Sequence, residues 1–284
     1  MKRWIVFCIT CFFVTGYAQK YDFCITYPSG RTLCYIITSP NTVKIGTNNK
    51  SRRLEGYGIS VYDYVFSGSL TIPATVNDNG DTYIVTEIDN LRRTDLTSVK
   101  LPETVTVISD RAFNYCYSLK NINFPKNLKS IGNGAFKKCY SLTSIHIPAS
   151  VKYLGWTAFE ECSGLKEVIM DEGVEIIDGY AFTNCSSISE ITLPSTVRRI
   201  EESAFSGCAS IRNIVIPEGC EYIGSSAFEK CKRLRTVKLP RTCGEFGYDV
   251  FDDCPSLERI IIPMGMFETF AALLPKYKDK FVEE

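Results

Sequence analysis

Thirteen cysteines and a single histidine are the side chains of this sequence best suited to reactive chemistry. Seven of the cysteines, Cys116, Cys139, Cys162, Cys185, Cys208, Cys231 and Cys254, follow one another at intervals of 23 residues. A zinc site wants closely spaced pairs of cysteine and histidine ligands, and none of the seven has a partner in C-x-x-C spacing. A thiol protease needs a thiolate activated by a histidine and oriented by a third group. His146 is the only candidate base, and it sits between Ile145 and Ile147, where alternation turns it outward while the cysteine register faces a core. The seven cysteines therefore read as a small apolar group repeated at one interior position. Glycoside hydrolysis would need two carboxyl groups across a cleft that excludes water. The adjacent pairs Glu160-Glu161, Glu201-Glu202 and Asp252-Asp253 instead fall in variable, polar turn segments. Asn77 to Asp81 lacks the length and the distal glutamate of a calcium loop. These readings predict a chain that is not an enzyme and needs no metal or cofactor.

Four further cysteines are candidates for disulfides. Tyr21 to Thr38 alternates around Pro28-Ser29-Gly30 as a hairpin does, which sets Cys24 opposite Cys34. Cys220 and Cys243 are also 23 residues apart, at a position held elsewhere by Val105, Leu128, Val151, Val174 and Val197, so they should be neighbours. Cys8 and Cys11 belong to a leader. Lys2 and Arg3 precede an apolar run from Trp4 to Thr15, and Gly16-Tyr17-Ala18 supplies small residues for cleavage before Gln19. No early cysteine has the context for lipid attachment, and no other segment is apolar enough to span a membrane. An exported protein, secreted, periplasmic or on the cell surface, is expected.

The elements that position these groups follow from the repeat. Ahead of each ladder cysteine by three residues stands a phenylalanine: Phe113, Phe136, Phe159, Phe182, Phe205, Phe228 and Phe251. Three residues after it comes leucine or isoleucine, then an alternating apolar pair ended by proline, as in Ile145-Ile147-Pro148 and Ile214-Ile216-Pro217. Alternation over a few residues makes a short half-buried strand, and proline ends it because it has no amide proton for the ladder. A second apolar pair, such as Val151 and Leu154, suggests an extended stretch on the opposite wall, and Ala-Phe-x-x-Cys closes each coil as a single helical turn. Twenty-three residues are too few for two helices and fit the range of leucine-rich repeats, about 20–29. The fold class expected is a leucine-rich-repeat solenoid, mainly β, a right-handed superhelix of short parallel strands in about eight coils.

The expected organisation is a leader at 1–18, an N-terminal β-hairpin cap at 19–69, the solenoid at 70–263 with a hairpin insertion at about 75–86, and a helical C-terminal cap at 264–284. Phe267, Phe270, Ala271 and Leu274 carry helical spacing in that last segment. Caps are needed because a solenoid leaves an open edge at each end.

The repeat resembles that of the BspA-like leucine-rich repeat family of bacterial surface and secreted proteins. The unit from Leu142 through Ile145, Ile147 and Pro148 to Ala158, Phe159 and Cys162 carries the likeness, which extends over about residues 70–263. It implies an adhesion or interaction protein. Lysine plus arginine and aspartate plus glutamate both count 32 in a chain of 284, so no basic surplus exists to hold nucleic acid. The expected partner is a protein of the host or of the envelope, with an envelope scaffold as the alternative role and an extracellular hydrolase behind both. The face proposed to bind is the outward strand column Asn123, His146, Ile169, Thr192, Val215, Lys238 and Ile261, beside which runs Asn121, Ser144, Glu167, Glu190, Asn213, Thr236 and Arg259. The rival surface is the opposite wall, with Tyr153, Ile176 and Tyr222.

Overall fold

The computed structural model describes residues 22–27, 32–46 and 67–284, with short strand pieces at Arg52–Arg53 and Ser60–Val61. The expected leader and the turn Pro28-Ser29-Gly30 lie outside the described residues. The chain winds as a β-solenoid of about nine coils with parallel strand stacking.

One wall, the strand face, is formed by Ser67–Thr71, Asp95–Lys100, Asn121–Ile122, Ser144–Ile147, Glu167–Met170, Glu190–Ile191, Asn213–Val215, Thr236–Lys238 and Arg259–Ile262. Their burial alternates as the sequence pattern requires: Ile145, Ile147, Val168, Met170, Ile214 and Val237 point inward and their neighbours point outward. Pairing is parallel and in the register of the repeat, with Ser144 beside Glu167 and Val215 beside Lys238. Hydrogen bonding on this wall is interrupted into three runs, breaking after Asn121–Ile122 and after Glu190–Ile191.

The opposite wall is continuous. Asp81–Ile88 and the two-residue strands from Val107–Ile108 through Glu245–Phe246 stack in a single sheet. The N-terminal strands extend it: Phe23–Thr26 pairs antiparallel with Thr32–Ser39, which pairs with Thr42–Gly46, which lies parallel to Asp81–Ile88. Thr75–Asp78 folds back on Asp81–Ile88 as an antiparallel hairpin around Asn79 and Gly80, both at positive φ.

Ala-Phe-x-x-Cys is not a helical turn. Two residues in each of the seven phenylalanine-bearing coils adopt the left-handed conformation, one two residues before the phenylalanine (Arg111, Gly134, Thr157, Tyr180, Ser203, Ser226, Asp249) and one two residues after it (Tyr115, Lys138, Glu161, Asn184, Gly207, Lys230, Asp253). This conformation costs a non-glycine residue about 1–2 kcal/mol. Its return is a third hydrogen-bonded wall. The amides of Arg111, Phe113 and Tyr115 reach the carbonyls of Asn133, Ala135 and Lys137 in the next coil at 2.8–2.9 Å, while the residues between them bond three residues back within their own coil. A helical turn would direct every amide back into its own coil and leave neighbouring coils unjoined here.

Between the walls lies one core built of columns. Phe113 to Phe251 stack ring on ring, with centroids 5.1–5.8 Å apart and planes within 21°. Each buried ring contributes about 1.5–3 kcal/mol by leaving water, and stacking adds about 0.5–1.5. The cysteine column beside it has a second role. Each thiol lies within hydrogen-bond distance of the carbonyl of the phenylalanine 26 residues earlier, from Cys139 on Phe113 to Cys254 on Phe228, at 3.1–3.3 Å. That carbonyl also accepts an amide from its own coil, as Phe113 does from Cys116. Cysteine is thus apolar enough for the core and also a weak donor to a buried oxygen. In the first coil Leu91 and Thr94 take the places of phenylalanine and cysteine, and Thr94 Oγ1 donates to the Leu91 carbonyl.

The C-terminal end is closed by the helix Phe267–Leu273, the 3-10 turn Pro275–Lys280 and a strand, Phe281–Glu283, which pairs parallel with Arg259–Ile262. The expected helical cap thus also contributes a strand, which extends the strand face. Tyr277 ends the aromatic column edge-on to Phe251, accepts the Phe251 amide and donates to Asp252. Burial opposes ionisation of Asp252, but bonds from Lys276 and Tyr277 hold its carboxyl below the usual range.

Candidate functional site

On the strand face Asn123, His146, Ile169, Thr192, Val215 and Lys238 are exposed, and the register brings His146 beside Ile169 and Val215 beside Lys238. Ile169 is 46% and Val215 60% exposed, high values for branched aliphatic side chains on a rigid sheet. Ile261 is half-buried because Val282 of the C-terminal strand stands next to it. Asn123 turns back on the preceding coil: its amide accepts from Leu101 N–H and donates to Leu101 O, at 2.8 and 3.1 Å. The usable column is thus His146 through Lys238. The adjacent column adds Glu167 and Glu190 in direct register, a local negative strip at the middle of the face.

The single histidine lies 2.8 Å from the Asp171 carboxylate, the residue that stands where other coils have proline. Both are exposed, and the cysteines are on the far side of the strand, within the core. Burial pushes the thiol of Cys116 up to about 11 and that of Cys208 to about 12, and raises Cys139 and Cys185 well above the ordinary range. A thiol held protonated in this way is a poor nucleophile. Among the described residues no group of three histidine, cysteine, aspartate or glutamate side chains is arranged to hold a metal ion.

Cys24 and Cys34 are cross-strand partners joined by a disulfide, with Cα atoms 4.0 Å apart. Cys220 and Cys243 stand differently: both are buried free thiols rather than a disulfide. Equivalent positions of successive coils project their Cβ atoms in parallel at roughly the 4.8 Å strand spacing, longer than the mean of about 3.8 Å that a disulfide prefers. Cross-strand partners of an antiparallel hairpin approach more closely.

The rival wall carries Tyr153, bonded through its hydroxyl to Asp178, and Arg199, whose guanidinium lies 4.2 Å from the Tyr222 ring centre. Its outward groups are thus engaged with one another, more so than Ile169 and Val215. A cleft that the sequence pattern does not reveal lies on the turn wall, about 270 Å3 in volume, lined by Arg92, Arg93, Arg111, Lys137, Trp156 and neighbouring polar residues. Its residues come from successive coils and their types do not recur at the 23-residue interval, so no periodic signal marks them.

Parallel stacking of short strands in coils of 23 residues, with phenylalanine and cysteine columns inside, defines a leucine-rich-repeat solenoid. The chain belongs to the BspA type leucine rich repeat family, whose model matches residues 89–212 and 157–271. Among solved structures, a leucine-rich repeat protein of T. pallidum is 23% identical, with 83% of this chain and 87% of that chain covered and a TM-score of 0.51. A leucine-rich repeat protein of Bacteroides ovatus is 24% identical over 93% of this chain and 79% of that one, with a TM-score of 0.47. A leucine rich cell surface protein of Faecalibacterium prausnitzii is 21% identical over 89% and 98%, with a TM-score of 0.35. No curated protein matches the chain. Among the described residues, no helix is long and apolar enough to cross a membrane.

Proposed function

We propose that this protein is an exported, non-catalytic interaction module that binds a protein of the host or of the envelope through its strand face. The observation that carries the reading is the pair of exposed aliphatic side chains, Ile169 and Val215, held on a rigid sheet beside His146, Thr192 and Lys238. Apolar groups surrounded by polar ones on an ordered surface are the usual composition of a macromolecular contact. Glu167, Glu190, Lys238 and Arg259 at the rim give such a contact salt sensitivity. The leader at 1–18, the cap at 19–69, the solenoid at 70–263 and the cap at 264–284 are the units of this proposal, in which the caps protect the edges and the solenoid binds.

The test is capture from extracellular-matrix and envelope extracts by the purified protein and by an Ile169→Asp, Val215→Asp variant whose melting curve matches the native one. Capture that the variant loses supports the strand face. Equal capture by both moves the site to another wall, and the absence of any capture defeats the binding role.

A further inference from the structure

The turn wall changes character along the solenoid. Its first coils carry Arg92, Arg93, Arg111, Lys137 and Lys138 against Asp110, and its later ones Glu160, Glu161, Glu202, Glu229, Asp249 and Asp252 against Lys230, with Lys137 and Lys138 ion-paired to Glu160 and Glu161 of the next coil. At the basic end lies the cleft of about 270 Å3, walled by Arg92, Arg93, Arg111, Asn114, Tyr115, Asn133, Gly134, Lys137, Trp156 and Thr157. No aspartate or glutamate lines it, but Glu160 pairs with Lys137 at 2.6 Å and Asp110 accepts the Asn133 amide at 2.7 Å, so the positive charge left to the cleft is that of its arginines.

Gly134 opens this space. The same column in other coils holds Arg111, Thr157, Tyr180, Ser203, Ser226 and Asp249 at the same left-handed φ, so the backbone there does not demand glycine. A Cβ on Gly134 would point between Thr157, Asn114 and Arg111, 3.4–3.7 Å from each. Trp156 forms another wall: it is 49% exposed, its backbone amide is fixed by the Asn133 side chain, and its ring packs on Gly179 and edge-on to Tyr180. Arg111 is exposed, and among the described residues its side chain has no hydrogen bond or ion pair. Asn114 is 6% exposed, and its Oδ1 is a buried acceptor with no donor among the described residues.

We infer that this cleft binds a carboxylated sugar. Each component of such a ligand has its counterpart: guanidinium for the carboxylate, a flat indole face for the C–H face of the ring, and the Asn114 carbonyl oxygen for a hydroxyl donor. A simple anion offers nothing to an amide oxygen and no surface to tryptophan. The volume lies just below the roughly 300–1,000 Å3 of drug-sized pockets, which suits a single sugar ring rather than a peptide. The site is on a different wall from the strand face and stands or falls separately from it.

The chain has two tryptophans, Trp4 and Trp156, so fluorescence of a Trp4→Phe protein reports on the cleft alone. D-glucuronate is titrated against it, with D-glucose, acetate and inorganic phosphate as partial ligands. A saturable change with glucuronate is expected, with at least about tenfold weaker response to each partial ligand, the equivalent of one lost charge-assisted contact. Arg111→Ala, an exposed position, and Gly134→Tyr, which fills the cleft with the side chain that Tyr180 carries two coils on in the same column, should each abolish it with the melting curve unchanged. No saturable change with glucuronate overturns the inference. So does an undiminished response in Arg111→Ala, or phosphate binding as tightly as glucuronate, which would make the cleft a plain anion site. If Gly134→Tyr fails to fold, Arg111→Ala decides alone.

Discussion

The inner columns and the strand face are built on the same repeat and treat it in opposite ways. Inside, phenylalanine and cysteine recur without exception from Phe113 and Cys116 to Phe251 and Cys254, and each contact is copied in the next coil. Outside, one column runs Asn123, His146, Ile169, Thr192, Val215, Lys238 and Ile261, with no type repeated except isoleucine. The hydrogen bonding divides likewise, being continuous on the wall opposite and interrupted on the strand face. The difference shows where stability resides. The core, the turn wall and the continuous sheet hold neighbouring coils together, which leaves the strand face free to vary its side chains, as the proposed binding role requires.

If this division is right, substitutions at equal depth along the solenoid should separate sharply. Phe159→Ala leaves a cavity between two stacked rings and should cost about 3–5 kcal/mol in denaturant unfolding. Val215→Asp, on the outside, should stay within about 0.5 kcal/mol. Equal losses would erase the distinction.

Alkaline pH reaches the core through its buried thiols. Burial raises the pKa of four ladder thiols, Cys116, Cys139, Cys185 and Cys208, in the folded state, to about 11 for Cys116 against an ordinary 9.0. Between those values the unfolded chain releases protons that the folded chain keeps, so stability falls as pH rises, and the full contribution is present below pH 9. Each such thiol contributes up to about 1.4 kcal/mol per pH unit. Melting temperature measured from pH 8 to 11 should decline, and the decline should be shallower in Cys116→Ala.

At the C-terminal end, Tyr277→Phe removes a hydroxyl that accepts the buried Phe251 amide and donates to Asp252. The expected loss is about 1–3 kcal/mol, read in the same unfolding experiment. The smallest effect sharpens the role of the thiols. Were cysteine only an apolar filler, Cys162→Ala would be milder than Cys162→Ser. Because Cys162 donates to the Phe136 carbonyl at 3.1 Å, serine should be the milder change, by about 0.5–1.5 kcal/mol.

How much of this could be read from the residues follows the same division. A solenoid with phenylalanine and cysteine columns was legible because period and residue type coincide seven times over. The left-handed residues were not, since Arg111, Thr157, Tyr180, Lys138 and Glu161 are types that rarely adopt that backbone, and only the inter-coil bonds explain them. That Cys220 and Cys243 are neighbours was legible in their 23-residue spacing, but their bonding was not, because spacing reveals adjacency and says nothing of Cβ direction. The half-burial of Ile261 depends on the last strand returning to pair with Arg259–Ile262, a contact that no local pattern announces. The cleft around Gly134 is legible only as the one column member without a side chain beside basic neighbours, a signal that emerges once the columns are aligned.

The most direct test of the account is hydroxyl-radical footprinting of the protein with and without a captured partner. The account predicts that His146, Ile169 and Val215 lose reactivity in the complex while Tyr153, Ile176 and Tyr222 keep theirs. Protection of the second set with the first unchanged would contradict it and place recognition on the continuous wall.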